Sequence, residues 1–328
     1  MLQDLLSTIA SEYDLDIKRT KILRDREKSF LLKLHTAKGL FLLKRLSISE
    51  ARQRFILAAE QYLRNQGLLI PRTLPTKSGR LYVMHAGYPY VITKWVEGES
   101  PPPNSSTRIK KAGRLLGRFH AKSRGFVFES GDRYARASSW EQEYASDLDR
   151  MEEWAITHAD GSSTIENVIK KRLDFFLQAG RQAKKALDQS RFFQRWKKSA
   201  LFSQYLCHGD FHTANIVSNK DGTYLIDWED VRYDFPSKDL ARFLHFIMRH
   251  DGRFSSRSWK QLLRAYQAKN RLSKQEKKLL YIDLSFPHGV ERFLRTRGYE
   301  KMKVSEIKRF LRQERQKISY MKNQLKKL

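Results

Sequence analysis

The chain has 328 residues, 40% of them apolar and 12% aromatic, so it can bury a sizeable core and is not a disordered polymer. Its single cysteine, Cys207, excludes an intrachain disulfide framework and fits synthesis in a reducing cytoplasm. With 64 Lys and Arg against 36 Asp and Glu, the formal charge is +28, a field that favours anionic partners.

In chain order, the N-terminal stretch MLQDLLSTIASEYDLDI lacks a basic leader, and Asp4, Glu12, Asp14 and Asp16 interrupt its apolar residues. That pattern argues against a secretory signal peptide. No segment approaches the run of about 18 apolar residues that would span a bilayer. The first 96 residues or so read as β-rich. SFLLKLHT (29–36) and LFLLKRL (40–46) are strand-like, joined by a hairpin turn at Ala37-Lys38-Gly39. If Lys33 lies opposite Leu43 in that hairpin, Lys33 and Lys44 face opposite sides of the sheet. A helix is expected from about Ile48 to Gln66, stopped by Gly67 and Pro71. LYVMH (81–85) and YPYVITKW (88–95) are further strands around Ala86-Gly87. The result is a small sheet with one helix inserted after its third strand.

Residues 97–106, EGESPPPNSS, mark a composition break that reads as a hinge or linker. Beyond it the pattern turns helical, at about 106–123, 138–158, 163–188 and most of 238–327. The expectation is an α+β fold of two parts: residues 1–97, a sheet with one helix, and residues 98–328, mostly helical. From Asp251 to Leu328 there are 22 Lys and Arg against 7 Asp and Glu. No zinc-ligand spacing or aromatic-interleaved nucleic-acid motif accompanies this basic tract, so nucleic-acid binding is not signalled.

The β signal in the second part is confined to 206–230, and it carries the chemistry. Asn215-Ile216-Val217-Ser218 and Thr223-Tyr224-Leu225-Ile226 are strands about a strong turn, Asn219-Lys220-Asp221-Gly222. Closing that turn sets Asn215 opposite Ile226, beside Asp227. Asp210 precedes the first strand, with Gly209 permitting an unusual backbone path. Three oxygen-bearing side chains thus converge at one end of a hairpin. Carboxylate and amide oxygens suit Mg²⁺, which shares its remaining positions with phosphate and water. Asn215 and Asp227 are then the candidate metal ligands. Asp210 is placed to accept the proton of an attacking hydroxyl.

The run HGDFHTAN (208–215) followed by LIDW (225–228) resembles the signature of the aminoglycoside phosphotransferase and choline kinase family, whose members share the protein-kinase-like fold. The resemblance implies a two-lobed architecture, ATP and Mg²⁺ as cofactors, Asp210 as catalytic base, and Asn215 and Asp227 on metal. It leaves His208 and His212 as architectural residues and Asp239, in Asp239-Leu240-Ala241, as a brace. Lys44 resembles the strand lysine that contacts nucleotide phosphates, with Lys33, Lys38 and Arg45 as competitors. Glu60 is the natural acidic partner of Lys44, and Glu50 is the alternative. YPYVITKW resembles the crossover that receives adenine, with Val91 and Ile92 either walling the base or filling the sheet. The first turn, Arg24-Asp25-Arg26-Glu27-Lys28, lacks the small residues found there in nucleotide-binding members. Arg24, Arg26 and Lys28 are the side-chain substitutes for its backbone donors.

The overall layout resembles the CotS-type spore coat branch of this family. That implies synthesis in the mother cell, association with the spore coat, and other coat proteins or an anionic polymer as partners. Three readings follow. One is a kinase acting on a hydroxyl of an unknown acceptor, another a catalytically silent coat component, and the third a polyanion-binding protein.

Overall fold

The computed structural model describes residues 2–100, 102–103, 105–160 and 163–328. Two residues of the expected linker, Pro101 and Asn104, lie outside the described residues. The chain packs as two compact units, Met1–Pro101 with Thr213–Val231, and Pro102–His212 with Arg232–Leu328. The sequence reading divided the chain at residue 97 and left the hairpin with the helical part; by packing, residues 213–231 group with the first unit.

The first unit is built on a five-stranded antiparallel sheet. Its strands are β1 (Ile17–Arg26), β2 (Ser29–Thr36), β3 (Gly39–Leu46), β4 (Val83–His85) and β5 (Tyr88–Lys94), in the order β1-β2-β3-β5-β4. Alternation fixes which face is buried: Phe30, Leu32 and Leu34 of β2 lie with Phe41 and Leu43 of β3 in one apolar cluster. Helix α1 (Leu2–Tyr13) covers that face with Leu5, Ile9 and Tyr13, a four-residue spacing that keeps all three on one side. Helix α2 (Glu50–Asn65) follows β3 and is capped by Ser49, whose hydroxyl accepts from the Arg52 N–H at 3.2 Å.

The β2–β3 register corrects one expectation. Thr36 pairs with Gly39, so the turn has two residues, and Lys33 faces Leu42 while Lys44 faces Leu31. Lys33 and Lys44 therefore share a face, the one opposite the core. A turn one residue longer would have separated them, because each single-residue shift reverses every side chain. The lysines still part company: Lys33 Nζ sits 4.3 Å from the Trp95 ring centroid, whereas Lys44 meets carboxylates.

Strands β7 (Ile216–Asn219) and β8 (Gly222–Leu225) form the hairpin expected from the Asn219–Gly222 turn. They join the first unit through backbone bonds. Leu225 N donates to Leu69 O at 3.0 Å, and Glu99 and Ser218 exchange N–H···O bonds of 3.0 and 2.9 Å. A Cβ at Gly98 would lie 2.6 Å from the Ser218 carbonyl, so this approach requires glycine. The start of the expected linker is thus tied to the hairpin.

In the second unit, α3 (Ser106–Ser123), α4 (Trp140–Thr157), α5 (Thr164–Asp188) and α6 (Arg191–Trp196) precede a short ladder of β6 (Tyr205–Cys207) with β9 (Arg232–Asp234). The remaining helices are α7 (Ser237–Asp251), α8 (Ser256–Gln267), α9 (Lys274–Ser285), α10 (His288–Arg295) and α11 (Val304–Leu325). One core gathers Met151 of α4, Ile169, Leu173 and Phe176 of α5, Val290 of α10, and Ile307, Leu311 and Ile318 of α11. Each such side chain contributes about 1.5–3 kcal/mol by leaving water. Helices α3 and α8 touch backbone to backbone. A Cβ on Gly113 would lie 2.7 Å from Leu262 O, and one on Gly117 2.4 Å from Tyr266 O. The buried Asp283 of α9 ties three elements together, accepting from Tyr144 at 2.5 Å, Lys238 at 2.9 Å and Ser237, beside His288 Nε2 at 3.0 Å.

Candidate functional site

In the first unit the candidate site side chains collect where Lys44 of β3 meets the segment that follows β8. Lys44 points off the sheet face that α1 does not cover. Its ammonium donates to Asp227 Oδ1 and lies 3.8 Å from Glu229 Oε1. Ile226 N donates to Asn215 O at 3.0 Å, so Asn215 stands opposite Ile226 and next to Asp227, as the turn dictated. Asn215 is buried. Asp227 has φ of +67°, left-handed backbone that a non-glycine residue adopts only when its surroundings impose it. Part of that hold is the next residue, Trp228, whose buried indole N–H donates to Leu225 O at 3.0 Å.

Glu229 was not singled out in the sequence, although it stands in the LIDWED run itself. Burial, with Asp227 close by, pushes its carboxyl up to about 7 against the pull of Lys44. Arg52 of α2 anchors the same segment by donating to Glu229 O at 2.6 Å. The carboxyl oxygens of Asp227 and Glu229, with the Asn215 amide as the candidate third ligand, are hard donors that suit Mg²⁺, and the Lys44 ammonium stands beside the two carboxyls as a cation. A divalent cation there would offset the burial, and the nearby Asp227 charge, that raise Glu229.

The expected Lys44–Glu60 pair is not made. Glu60 lies 3.7 Å from Arg64, one turn along α2, and burial pushes its carboxyl up to about 7 despite Arg64 and Lys44. Lys44 is drawn to the carboxylates of the 227–229 segment instead. The alternative, Glu50, accepts from Tyr82 Oη. Of the two candidate adenine residues, Ile92 belongs to the sheet core, while Val91 is paired with Lys44 and shares its face.

The expected charged loop at 24–28 is also corrected. Strand β1 runs through Arg26, and the connection is a two-residue turn, Glu27-Lys28. Arg45 Nη2 donates to Arg26 O and Glu27 O at 3.1 and 3.0 Å, and Ser47 Oγ donates to Glu27 O at 2.7 Å. The turn is pinned through its carbonyls. Arg24, Arg26 and Lys28 are exposed.

In the second unit the chain leaves β6 through His208, Gly209 and Asp210. Gly209 has φ of +85°. The buried Asp239 of α7 holds this bend: its carboxylate accepts from His208 N at 2.7 Å and Gly209 N at 2.9 Å. His120 Nε2 lies 3.1 Å from Asp239, and His120 Nδ1 lies 2.9 Å from Tyr266 Oη. With Cys207, these groups form a buried cluster of possible metal-ligand atoms. The hydrogen bonds already engage its histidine and carboxylate, which makes it a brace. His208 is buried at the bend.

Asp210 is held from two sides. Arg242 Nε and Nη2 approach Oδ1 at 2.8 and 2.7 Å, and His212 Nε2–H donates to Oδ2 at 3.1 Å. The His212 hydrogen bond, then the Arg242 charge, keep the Asp210 carboxyl well below the usual range in spite of partial burial. The His212 ring stacks on Phe246, with centroids 4.9 Å apart and planes 6° from parallel. Arg242 escaped the sequence reading. The available signal was its position three residues after Asp239, on the neighbouring turn of the same helix.

A model of the phosphotransferase enzyme family (APH) matches residues 19–272. Among similar proteins, "Spore coat protein S" of Bacillus subtilis (strain 168) is 26% identical over 288 residues, covering 87% of this chain and 82% of the relative. A "Homoserine kinase" of Rhizobium meliloti (strain 1021) is 23% identical over 273 residues, covering 81% and 74%. In fold, the chain resembles an aminoglycoside phosphotransferase from Alicyclobacillus acidocaldarius, with a TM-score of 0.75, 20% identity and coverage of 98% and 96%. It also resembles amicoumacin kinase hAmiN, solved with AMP-PNP, Ca²⁺ and Ami, with a TM-score of 0.65, 16% identity and coverage of 97% and 93%.

Proposed function

Because the chain belongs to the phosphotransferase enzyme family, whose model spans residues 19–272, we propose that it transfers the γ-phosphoryl group of ATP to a hydroxyl of an acceptor molecule. The observation that carries this reading is the Lys44–Asp227–Glu229 cluster beside Asn215. Lys44 would bind the nucleotide phosphates. Asn215 and Asp227 would hold Mg²⁺, with Glu229 beside them. Bound there, the metal would neutralise charge on the phosphates.

Asp210 would orient the acceptor hydroxyl and take its proton. A carboxylate kept ionised by His212 and Arg242 is a hydrogen-bond acceptor across the physiological range, which suits positioning a weakly acidic hydroxyl. Glu60, buried and turned to Arg64, would support α2 behind Lys44. The first unit would serve the nucleotide and the second the acceptor.

The likeness to Spore coat protein S supports a place in the spore coat, and synthesis in the mother cell is part of that proposal. The same likeness supports a second reading, a coat scaffold without catalysis, which the Glu27-Lys28 turn favours because it has no glycine to let backbone N–H groups approach phosphate closely.

The deciding experiment is a thermal shift with ATP, with and without Mg²⁺, on the intact protein and Asp227→Ala. A Mg²⁺-dependent rise in Tm that the variant loses is expected. No shift at millimolar ATP would retire the phosphotransferase reading in favour of the scaffold.

A further inference from the structure

Resting on that reading, we infer that the acceptor is an anionic alcohol, a small molecule carrying a carboxylate or phosphate group besides its reactive hydroxyl, and that Arg249 binds this group. The partly or fully exposed stripe of α7 beginning at Asp210 consists of Arg242, His245, Phe246 and Arg249. These positions are three, one and three residues apart, so they form one ridge along the helix. Arg242 fixes one end of the ridge, since its guanidinium lies on Asp210. Phe246 belongs to the same surface, because His212, which donates to Asp210, stacks on its ring. Arg249 lies seven residues beyond Arg242, about 10 Å along the axis. A long side chain on a helix leans back over the preceding turn, so the Arg249 guanidinium can reach along the ridge toward the Asp210 end and shorten that gap to the span of a small hydroxy acid.

Charge decides the class of acceptor. The positive charge of Arg242 is spent on Asp210. Arg249 is exposed and makes no ion pair or side-chain hydrogen bond among the described residues. From α11, Lys317 pairs with the buried Glu314 at 2.7 Å. Glu314 is the carboxylate from α11 near His245, and Lys317 is already on it. Burial, with Lys317, Arg242 and Arg249 around it and Glu314 opposing, keeps the His245 imidazole below its ordinary value. The ridge therefore offers an uncommitted cation, a neutral imidazole and an aromatic face. No acidic residue stands on α7 between Asp239 and Asp251, and Asp251 lies 3.0 Å from His250. A cationic acceptor would meet Arg249 with like charge, and a neutral one would leave it unused.

The test uses small alcohols that differ in charge: glycerate and malate, glycerol, and ethanolamine. Their binding is measured by calorimetry without nucleotide, and ATP-dependent phosphorylation by mass spectrometry. Glycerate or malate should bind and be phosphorylated in preference to the other two. Arg249→Gln should weaken their binding about tenfold and raise KM by a similar factor with much less change in kcat, and Arg249→Lys should restore part of it. Preference for glycerol or ethanolamine, or an Arg249→Gln variant that binds the anions unchanged, overturns the inference while leaving the phosphotransferase reading intact. Arg249-dependent anion binding without any Mg²⁺-dependent response to ATP supports the anion site and removes the phosphotransferase reading. No binding of any probe by the folded protein overturns the anion site itself.

Discussion

Arg242 places two nitrogens on a single oxygen of Asp210, at 2.8 and 2.7 Å, and leaves the other oxygen to His212. The arginine thus both orients the carboxylate and lowers its proton affinity. In Arg242→Gln the carboxyl should titrate closer to the ordinary aspartate value of about 3.9. Carbon-13 NMR of labelled aspartate reads this directly. The unaltered protein should keep Asp210 ionised at every pH where it stays folded. An identical Asp210 titration in the variant would count against the proposed control.

Glu60 gives a pH dependence with a definite sign. Its folded-state value is raised to about 7, so the folded protein retains a proton that the unfolded chain releases near pH 4.3. The associated stability is complete below about pH 4 and declines as pH rises through about 7. Glu60→Gln removes the ionisation. It should be close to neutral at pH 5 and stabilising at pH 8, by on the order of 2 kcal/mol. Urea unfolding at the two pH values checks this, and an equal effect at both would contradict the burial argument.

The contact between α3 and α8 predicts a steric penalty. A Cβ at residue 117 would come within 2.4 Å of the Tyr266 carbonyl, a backbone atom that cannot swing aside. Gly117→Ala should destabilise by about 1–3 kcal/mol even though alanine favours helix. The same change at Gly252, where no atom lies within 4 Å, provides a control of different origin, since φ there is +66°. Calorimetric Tm values for the two variants separate crowding from backbone conformation only if the 117 variant also exposes new apolar surface, which a fluorescent dye reports.

The hairpin of β7 and β8 was legible because its turn, Asn219-Lys220-Asp221-Gly222, is strongly typed and leaves one register. The β2–β3 hairpin was legible as strands but not as a register. Ala37-Lys38-Gly39 admits two turn lengths, and the choice moved Lys33 to the face of Lys44. Strand β1 reads IKRTKILRDR and has no buried residue, so it shows no inward-outward alternation; charged residues on a sheet edge look like a loop in one dimension. The three-residue ladder of β6 with β9 is too short for any periodicity. Glu60 was found on the right helix but with the wrong partner, because helix spacing gives a face while only packing shows what lies opposite. Arg242 and Glu229 stood next to recognised residues and were passed over, since proximity in sequence does not show which oxygen a side chain reaches.

Cys207 ends β6, immediately before the bend that carries Asp210, and is fully buried with its Sγ 3.2 Å from Phe235 O. Burial and the neighbouring Asp239 and Asp234 push its thiol well above the ordinary value, so in the closed fold it is neither accessible nor ionised. As the chain's sole sulfhydryl, it is a built-in clock for local opening. The rate at which a thiol reagent consumes it measures how often β6 detaches, without any label being introduced. Its silence also frees the surface for engineering: a cysteine placed on an exposed position would be the single reactive handle for a dye or a crosslinker, with the native thiol left as an internal gauge of whether the fold has loosened.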